Sequence, residues 1–237
     1  MEGIKPVDYR KFRLRLINTA PYSHVKLLLF WPVFGLLFAF VERVGLGRGY
    51  TPVYMPLDDL IPFCEWFVIP YLFWFLYLGG MLAYTFFTDV PAFRRMMNFT
   101  ILTYSITMVI YFLFPTCQNL RPTTFERDNV LTRFMAWFYT FDTNTNVCPS
   151  IHVLGAVAAT VGGWNCRPFS SKPGRIAMVA VTVLICLSTV FLKQHSVVDV
   201  FAALPLCLLG IFWRPGRKNL EKAVVAPGKN VYNRHRH

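Results

Sequence analysis

The chain has 237 residues, 55% of them hydrophobic and only 15% charged, and carries a formal net charge of +12. That balance leaves a membrane protein or an unusually apolar soluble one, and the distribution of apolar runs decides for the membrane. The basic excess raises nucleic acid as a partner, but no basic module with interleaved aromatics is visible, so nucleic acid is not expected.

In chain order, residues 1–24 form a basic arm with Tyr9, Phe12, Leu14 and Leu16 interspersed, which reads as an interfacial helix or a loosely ordered segment. It lacks an evident small-residue cleavage site, so no cleaved signal peptide is expected. Residues 25–213 hold six apolar runs: Val25–Val41, Ile61–Phe87, Met97–Phe114, Ile151–Trp164, Ile176–Leu192 and Val197–Trp213. A helix crossing a ~30 Å hydrocarbon core needs about 20 residues. The fourth run is short and contains Gly155, Gly162 and Gly163, so flanking residues are expected to lengthen it. The fold class is therefore all-α: a polytopic membrane protein built as one six-transmembrane-helix bundle.

Between the runs, Glu42–Leu60 carries Gly45, Gly47, Gly49, Pro52 and Pro56 and reads as a loop. It delivers Asp58 and Asp59, with Glu65 just beyond. These carboxylates read as a solvated loop, or as contacts to a cationic or polyhydroxyl headgroup. Pro62 and Pro70 predict a bent entry to the second run. The longest connection, Pro115–Pro149, contains Leu131–Phe141, whose pattern predicts an amphipathic helix lying along the interface. The tryptophans read as interface belt or lipid-facing residues. Residues 214–237 are a basic tail.

Placing the N-terminus inside puts most of the 24 Lys and Arg in the arm, the inner connections and the tail. Only Arg43, Arg48, Arg121, Arg127, Arg133 and Lys193 fall outside. This positive-inside bias predicts cytoplasmic termini, resting on anionic headgroups, and a multi-pass protein of the plasma membrane. The six cysteines form no CxxC pair, so a metal site has little support. Cys117 and Cys148 both fall outside and read as unpaired residues, or as a disulfide in an oxidising compartment.

The same topology brings Arg121, Ser150, His152, Lys193, His195 and Asp199 to the outer face. Ionisable residues at membrane depth face a polar cavity. On a helix, the four-residue spacing stacks Asp199 on His195. An imidazole oriented by a carboxylate, facing a second imidazole, is equipped for nucleophilic attack followed by general-acid departure of a leaving group.

Arg121-Pro122, Pro149-Ser150-Ile151-His152, and Ser188 followed by His195 and Asp199 resemble, in order, the three motifs of the type 2 phosphatidic acid phosphatase superfamily. The resemblance covers Met97 to Trp213. Phe114 and Thr189 stand where that pattern has lysine and arginine. Phe114-Pro115-Thr116 and Lys193-Gln194-His195 resemble the branch of inositol phosphorylceramide synthase-like phosphotransferases. The resemblance implies a lipid phosphatase in which His195 forms a phosphohistidine, Asp199 orients it and His152 serves as acid and base. Arg121, Ser150 and Lys193 would bind the phosphate of a lipid phosphate substrate, with no metal, no cofactor and no obligate protein partner. Transfer of a phosphorus-containing headgroup to a hydroxyl acceptor is the second expectation. A transporter or a non-catalytic lipid-binding scaffold is the reading from another class.

Overall fold

The computed structural model describes residues 7–44 and 49–213. The basic tail at 214–237, and Gly45, Gly47 and Arg48 of the first loop, lie outside the described residues. Helices dominate: α1 (Phe30–Val44), α2 (Leu57–Leu60), α3 (Val68–Thr88), α4 (Val90–Leu113), α5 (Val130–Phe141), α6 (Ile151–Gly163), α7 (Lys172–Phe191) and α8 (Val197–Phe212). Among the described residues, four helical stretches are long and apolar enough to cross a membrane: Ser23–Arg43, Glu65–Thr88, Val90–Leu113 and Lys172–Phe191. The runs expected at 151–164 and 197–213 form shorter apolar helices of 13 and 16 residues. The flanking residues do not extend α6.

Local chemistry sets the helix ends. Asp89 caps α4 by accepting from the Ala92 N–H at 2.9 Å, with Pro91 in the first turn where its missing N–H costs nothing. The helix therefore begins at Val90, earlier than the apolar run at Met97. Ser171 caps α7 in the same way. Asn129 and Thr132 close a reciprocal capping box on α5. At the second entry a 3-10 turn at Glu65–Phe67 runs directly into α3.

Helix α6 is the centre of the bundle, packed against α3, α4, α7 and α8. Its sequence makes this possible, because Gly155, Ala156, Ala158, Ala159, Gly162 and Gly163 are all buried and let neighbouring helices approach closely. A Cβ on Gly155 would lie 2.7 Å from the Tyr104 hydroxyl and 2.9 Å from the Trp74 indole. Trp74, Met96, Phe99, Tyr104, Leu154 and Ile185 belong to the main buried cluster.

The described part of the arm is not one regular helix but a series of short 3-10 turns. It grips the α3–α4 corner: the Tyr9 hydroxyl donates to the Phe86 carbonyl at 2.7 Å and meets His24 Nε2 at 2.6 Å, and Arg94 donates to Ser23 Oγ at 2.7 Å. At the opposite end, the first loop and the long connection join through a two-residue parallel pair, β1 (Thr51–Pro52) with β2 (Thr116–Cys117). Residues 142–146 fold onto this pair, with the Asn146 N–H on the Thr116 carbonyl at 2.6 Å. Glu42 accepts from Thr143, Thr145 and Asn146 side chains, fastening the same loop to the end of α1.

The Gly155→Ala substitution is expected to destabilise the protein by ~1–3 kcal/mol through overpacking against two aromatic side chains. Thermal denaturation of the purified protein in detergent measures it. Gly79→Ala, where an added Cβ meets nothing within 4 Å, is the control expected to leave the midpoint unchanged or raise it.

Candidate active site

The site forms where the N-termini of α6 and α8 meet the C-terminus of α7 and the first turns of α3. Ser196 is the N-cap of α8, and its hydroxyl accepts from the Val198 N–H. Asp199, the third residue of the helix, accepts from the Ser196 N–H at 3.1 Å and completes a capping box. The same Oδ2 accepts from His195 Nδ1 at 3.0 Å. His195 thus precedes the helix. It meets Asp199 because the cap folds the chain back, which corrects the expectation of two residues stacked on one helical face.

His152 stands in the first turn of α6, with its Nδ1 3.2 Å from His195 Nε2. One proton arrangement satisfies the whole line: His195 donates from Nδ1 to Asp199, and its Nε2 lone pair accepts from His152 Nδ1–H. The His152 ring is held between two aromatic side chains of α3, with centroids 4.8 Å from Tyr71 and 4.6 Å from Trp74. A second tie joins the helices, from the Ser150 N–H to the Asp199 carbonyl at 3.1 Å. Ser150, His195 and Asp199 are buried at 0%, 5% and 0% exposure, so little water competes for these groups.

Ser150 is the N-cap of α6, yet its side chain makes no capping bond, and the buried Oγ has no partner among the described residues. The first N–H groups of a helix have no intrahelical acceptor. Together with that hydroxyl they make an anion-accepting end.

Arg121 and Lys193 are placed differently from a phosphate clamp. The Arg121 Nη atoms donate to the carbonyls of Tyr139, Asp142 and Thr143 at 2.8–3.2 Å and to Gln194 Oε1 at 2.5 Å. The guanidinium also lies 4.7 Å from the Tyr139 ring centroid. It closes the C-terminal end of α5, where a cation meets the exposed carbonyls of the helix. Lys193, in a left-handed conformation at φ 53°, donates to the Asp58 and Ile61 carbonyls at 2.7 and 2.5 Å. Burial lowers its pKa, opposed by Asp58 and Asp59. Two of its three donors are therefore occupied by the loop that it anchors.

Asp58 corrects a further expectation. It is fully buried, not solvated, and accepts from Ser196 Oγ at 2.6 Å, the Val197 N–H at 2.8 Å and the Met55 N–H at 2.9 Å. The first loop thus supplies a carboxylate to the N-terminus of α8, where negative charge is favoured. Asp59 instead hydrogen-bonds exposed Tyr54. Glu65 is buried and held by Asn129 at 3.1 Å and Arg127 at 3.4 Å. Cys117 and Cys148 are free thiols, and burial raises the Cys148 pKa to about 12.

Sequence reasoning missed Gln194, Asp142, Tyr71 and Trp74. Gln194 Nε2 donates to Asp142 Oδ2 at 3.0 Å while its Oε1 holds Arg121. It thereby links the residue before His195 to the end of α5. Its place beside His195 was the available signal; Tyr71 and Trp74 offered none, being two aromatics in an apolar run. Among the described residues, no group of three or more His, Cys, Asp or Glu could hold a metal ion.

No family model, curated protein or solved structure matches the chain.

Asp58→Ala leaves two donors at the α8 N-terminus and the Met55 N–H of the first loop without their acceptor, at about 1–3 kcal/mol for each one that stays buried. The expected result is a large fall in the thermal midpoint in detergent. Asp59→Ala, at an exposed position, is expected to change it little.

Proposed function

We propose that the chain is an integral membrane lipid phosphatase that hydrolyses a lipid phosphate or pyrophosphate through a phosphohistidine on His195. The observation that carries this reading is the line from Asp199 through His195 to His152, with contacts of 3.0 and 3.2 Å. The ordered motif resemblance agrees with it.

The roles follow from the atoms. Asp199 holds the proton on His195 Nδ1, which leaves the Nε2 lone pair as nucleophile. Nε2 attacks phosphorus, the bond from phosphorus to the lipid oxygen breaks, and His152, entering as the imidazolium, gives that oxygen its proton. Neutral His152 then takes a proton from water as the water oxygen displaces Nε2, which releases phosphate and restores both rings. In-line displacement puts the leaving oxygen across phosphorus from Nε2, so the two touching rings must part when substrate enters. Ser150 Oγ and the α6 N-terminus stabilise the charge that develops on the phosphoryl oxygens. Arg121 adds positive charge nearby while its Nη donors remain on the α5 carbonyls and Gln194.

In the same reading all six apolar helices cross the membrane. At 1.5 Å per residue, α6 and α8 measure about 20 and 24 Å, short of the ~30 Å core. Helix α6 packs beside the 20-residue α7 and α8 packs on α4 and α6, so His152 in the first turn of α6 and His195 just before α8 share one end of the bundle. The positive-inside bias puts that end outside and the termini in the cytoplasm. The exposed Trp137 and Phe141 of α5 fit an interfacial position at the same end.

Phosphate release from phosphatidate, phosphatidylglycerol phosphate and polyprenyl pyrophosphate, in detergent with EDTA, tests the reading. Wild type is expected to release phosphate, and His195→Ala to release none. His152→Ala and Asp199→Asn are each expected to lose about 100-fold or more. A covalent phosphoryl label that survives alkaline denaturation and is lost in acid is expected on wild type and absent from His195→Ala. Undiminished release by His195→Ala would overturn the assignment. Release of diacylglycerol from an intact phospholipid, only when a hydroxyl acceptor is supplied, would replace hydrolysis with transfer.

A further inference from the structure

We propose that Asp142 selects the substrate, favouring a lipid whose phosphoryl group is joined to a hydroxyl-bearing headgroup. The proposal rests on the phosphatase reading above for the position of the phosphorus and names the chemistry beside it.

Asp142 is the C-cap of α5, outside the six apolar helices, and lies near enough to His195 for the two charges to interact. Gln194, the residue before His195, donates to its Oδ2 at 3.0 Å, and Arg121 Nη2 stands 3.9 Å from the same oxygen. The Tyr71 phenol lies against the carboxyl, and the Tyr71 ring packs on His152. Tyr71 therefore connects Asp142 to the His152 ring, and Gln194 ties it to the chain immediately before His195. The carboxyl is hemmed in on this inner side, and burial raises its pKa although the charge of Arg121 opposes the shift. Its side chain remains 41% exposed, so the outer edge is open.

An ionised carboxylate can only accept hydrogen bonds. Next to a phosphoryl site it repels a bare phosphate, and that cost falls on every substrate alike unless the substrate itself brings a donor. A hydroxyl one or two bonds beyond the phosphate ester would supply it. A substrate lacking that hydroxyl leaves the acceptor facing the phosphate without compensation. Sites built to bond a substrate hydroxyl discriminate strongly against analogues without one, because the site's own polar group is left unpaired. The opposite arrangement, a protonated Asp142 donating to phosphate, is distinguishable. In Asp142→Asn the amide oxygen stays on the Gln194 Nε2 donor and the NH2 group takes the outer position, so the variant donates to phosphate as a protonated carboxyl would but presents no acceptor to a substrate hydroxyl.

The experiment compares kcat/KM for phosphatidylglycerol phosphate and phosphatidate in mixed micelles, for wild type and Asp142→Asn. It also measures equilibrium binding of both lipids to His195→Ala with and without Asp142→Asn. Wild type is expected to prefer the glycerol-bearing lipid by about tenfold or more, and Asp142→Asn to remove most of that preference, in turnover and in binding alike. An unchanged preference, or an equal loss on both lipids, would overturn the proposal. If wild type turns over neither lipid while the binding preference still disappears with Asp142→Asn, the headgroup site stands and the phosphatase reading fails.

Discussion

Asp199 is the residue on which the rest of the site depends. Its carboxylate closes the first turn of α8 on the Ser196 N–H and holds the His195 imidazole, while its backbone carbonyl accepts from Ser150 at the start of α6. One fully buried residue thereby fixes a helix start, the orientation of an imidazole and the register between two helices. A carboxylate held in this way is expensive to desolvate and is retained only where hydrogen bonds and dipoles compensate. Here the compensation comes from the α8 N-terminus and from His195 itself, so the cap and the site are one structure.

The shell around that centre is built from loop residues whose charges face inward. Asp58 reaches the α8 N-terminus from the first loop, Lys193 holds the carbonyls of the same loop, and Arg121 holds those at the end of α5. Each charge meets a backbone terminus of opposite partial charge, which is how a region without long helices satisfies its polar groups at the rim of an apolar bundle. This also explains why two cations that suit a phosphate clamp in sequence are occupied elsewhere in the resting structure. The proposed mechanism then falls to the two imidazoles, the Ser150 hydroxyl and the α6 N-terminus.

Helix α6 carries His152 at one end and small residues along its length. Those residues let α3 approach closely enough for Tyr71 and Trp74 to bracket the His152 ring, with Gly155 leaving room for the indole. A stripe that reads as a weak, glycine-interrupted span is the reason that the central helix can be central. The same packing constrains the imidazole that must part from His195, and it links bundle stability to the precision of the proposed acid.

The sequence by itself determined the apolar helical architecture and the gathering of His152, His195, Asp199 and Ser150 at one end. These follow from hydropathy, local hydrogen bonding and motif order, all of which are properties of short stretches of chain. Two of the six apolar runs form helices shorter than a full crossing, a length that hydropathy alone did not set. Tertiary structure alone decided that Asp58 is a buried cap rather than a solvated loop residue, that Arg121 and Lys193 hold carbonyls, and that Asp142, Gln194 and Tyr71 join the site. Those roles depend on partners far away in sequence, with 138 residues separating Asp58 from Ser196 and 73 separating Arg121 from Gln194. A charged side chain's character is spacing-independent, but its partner is set by which backbone termini the fold brings within reach.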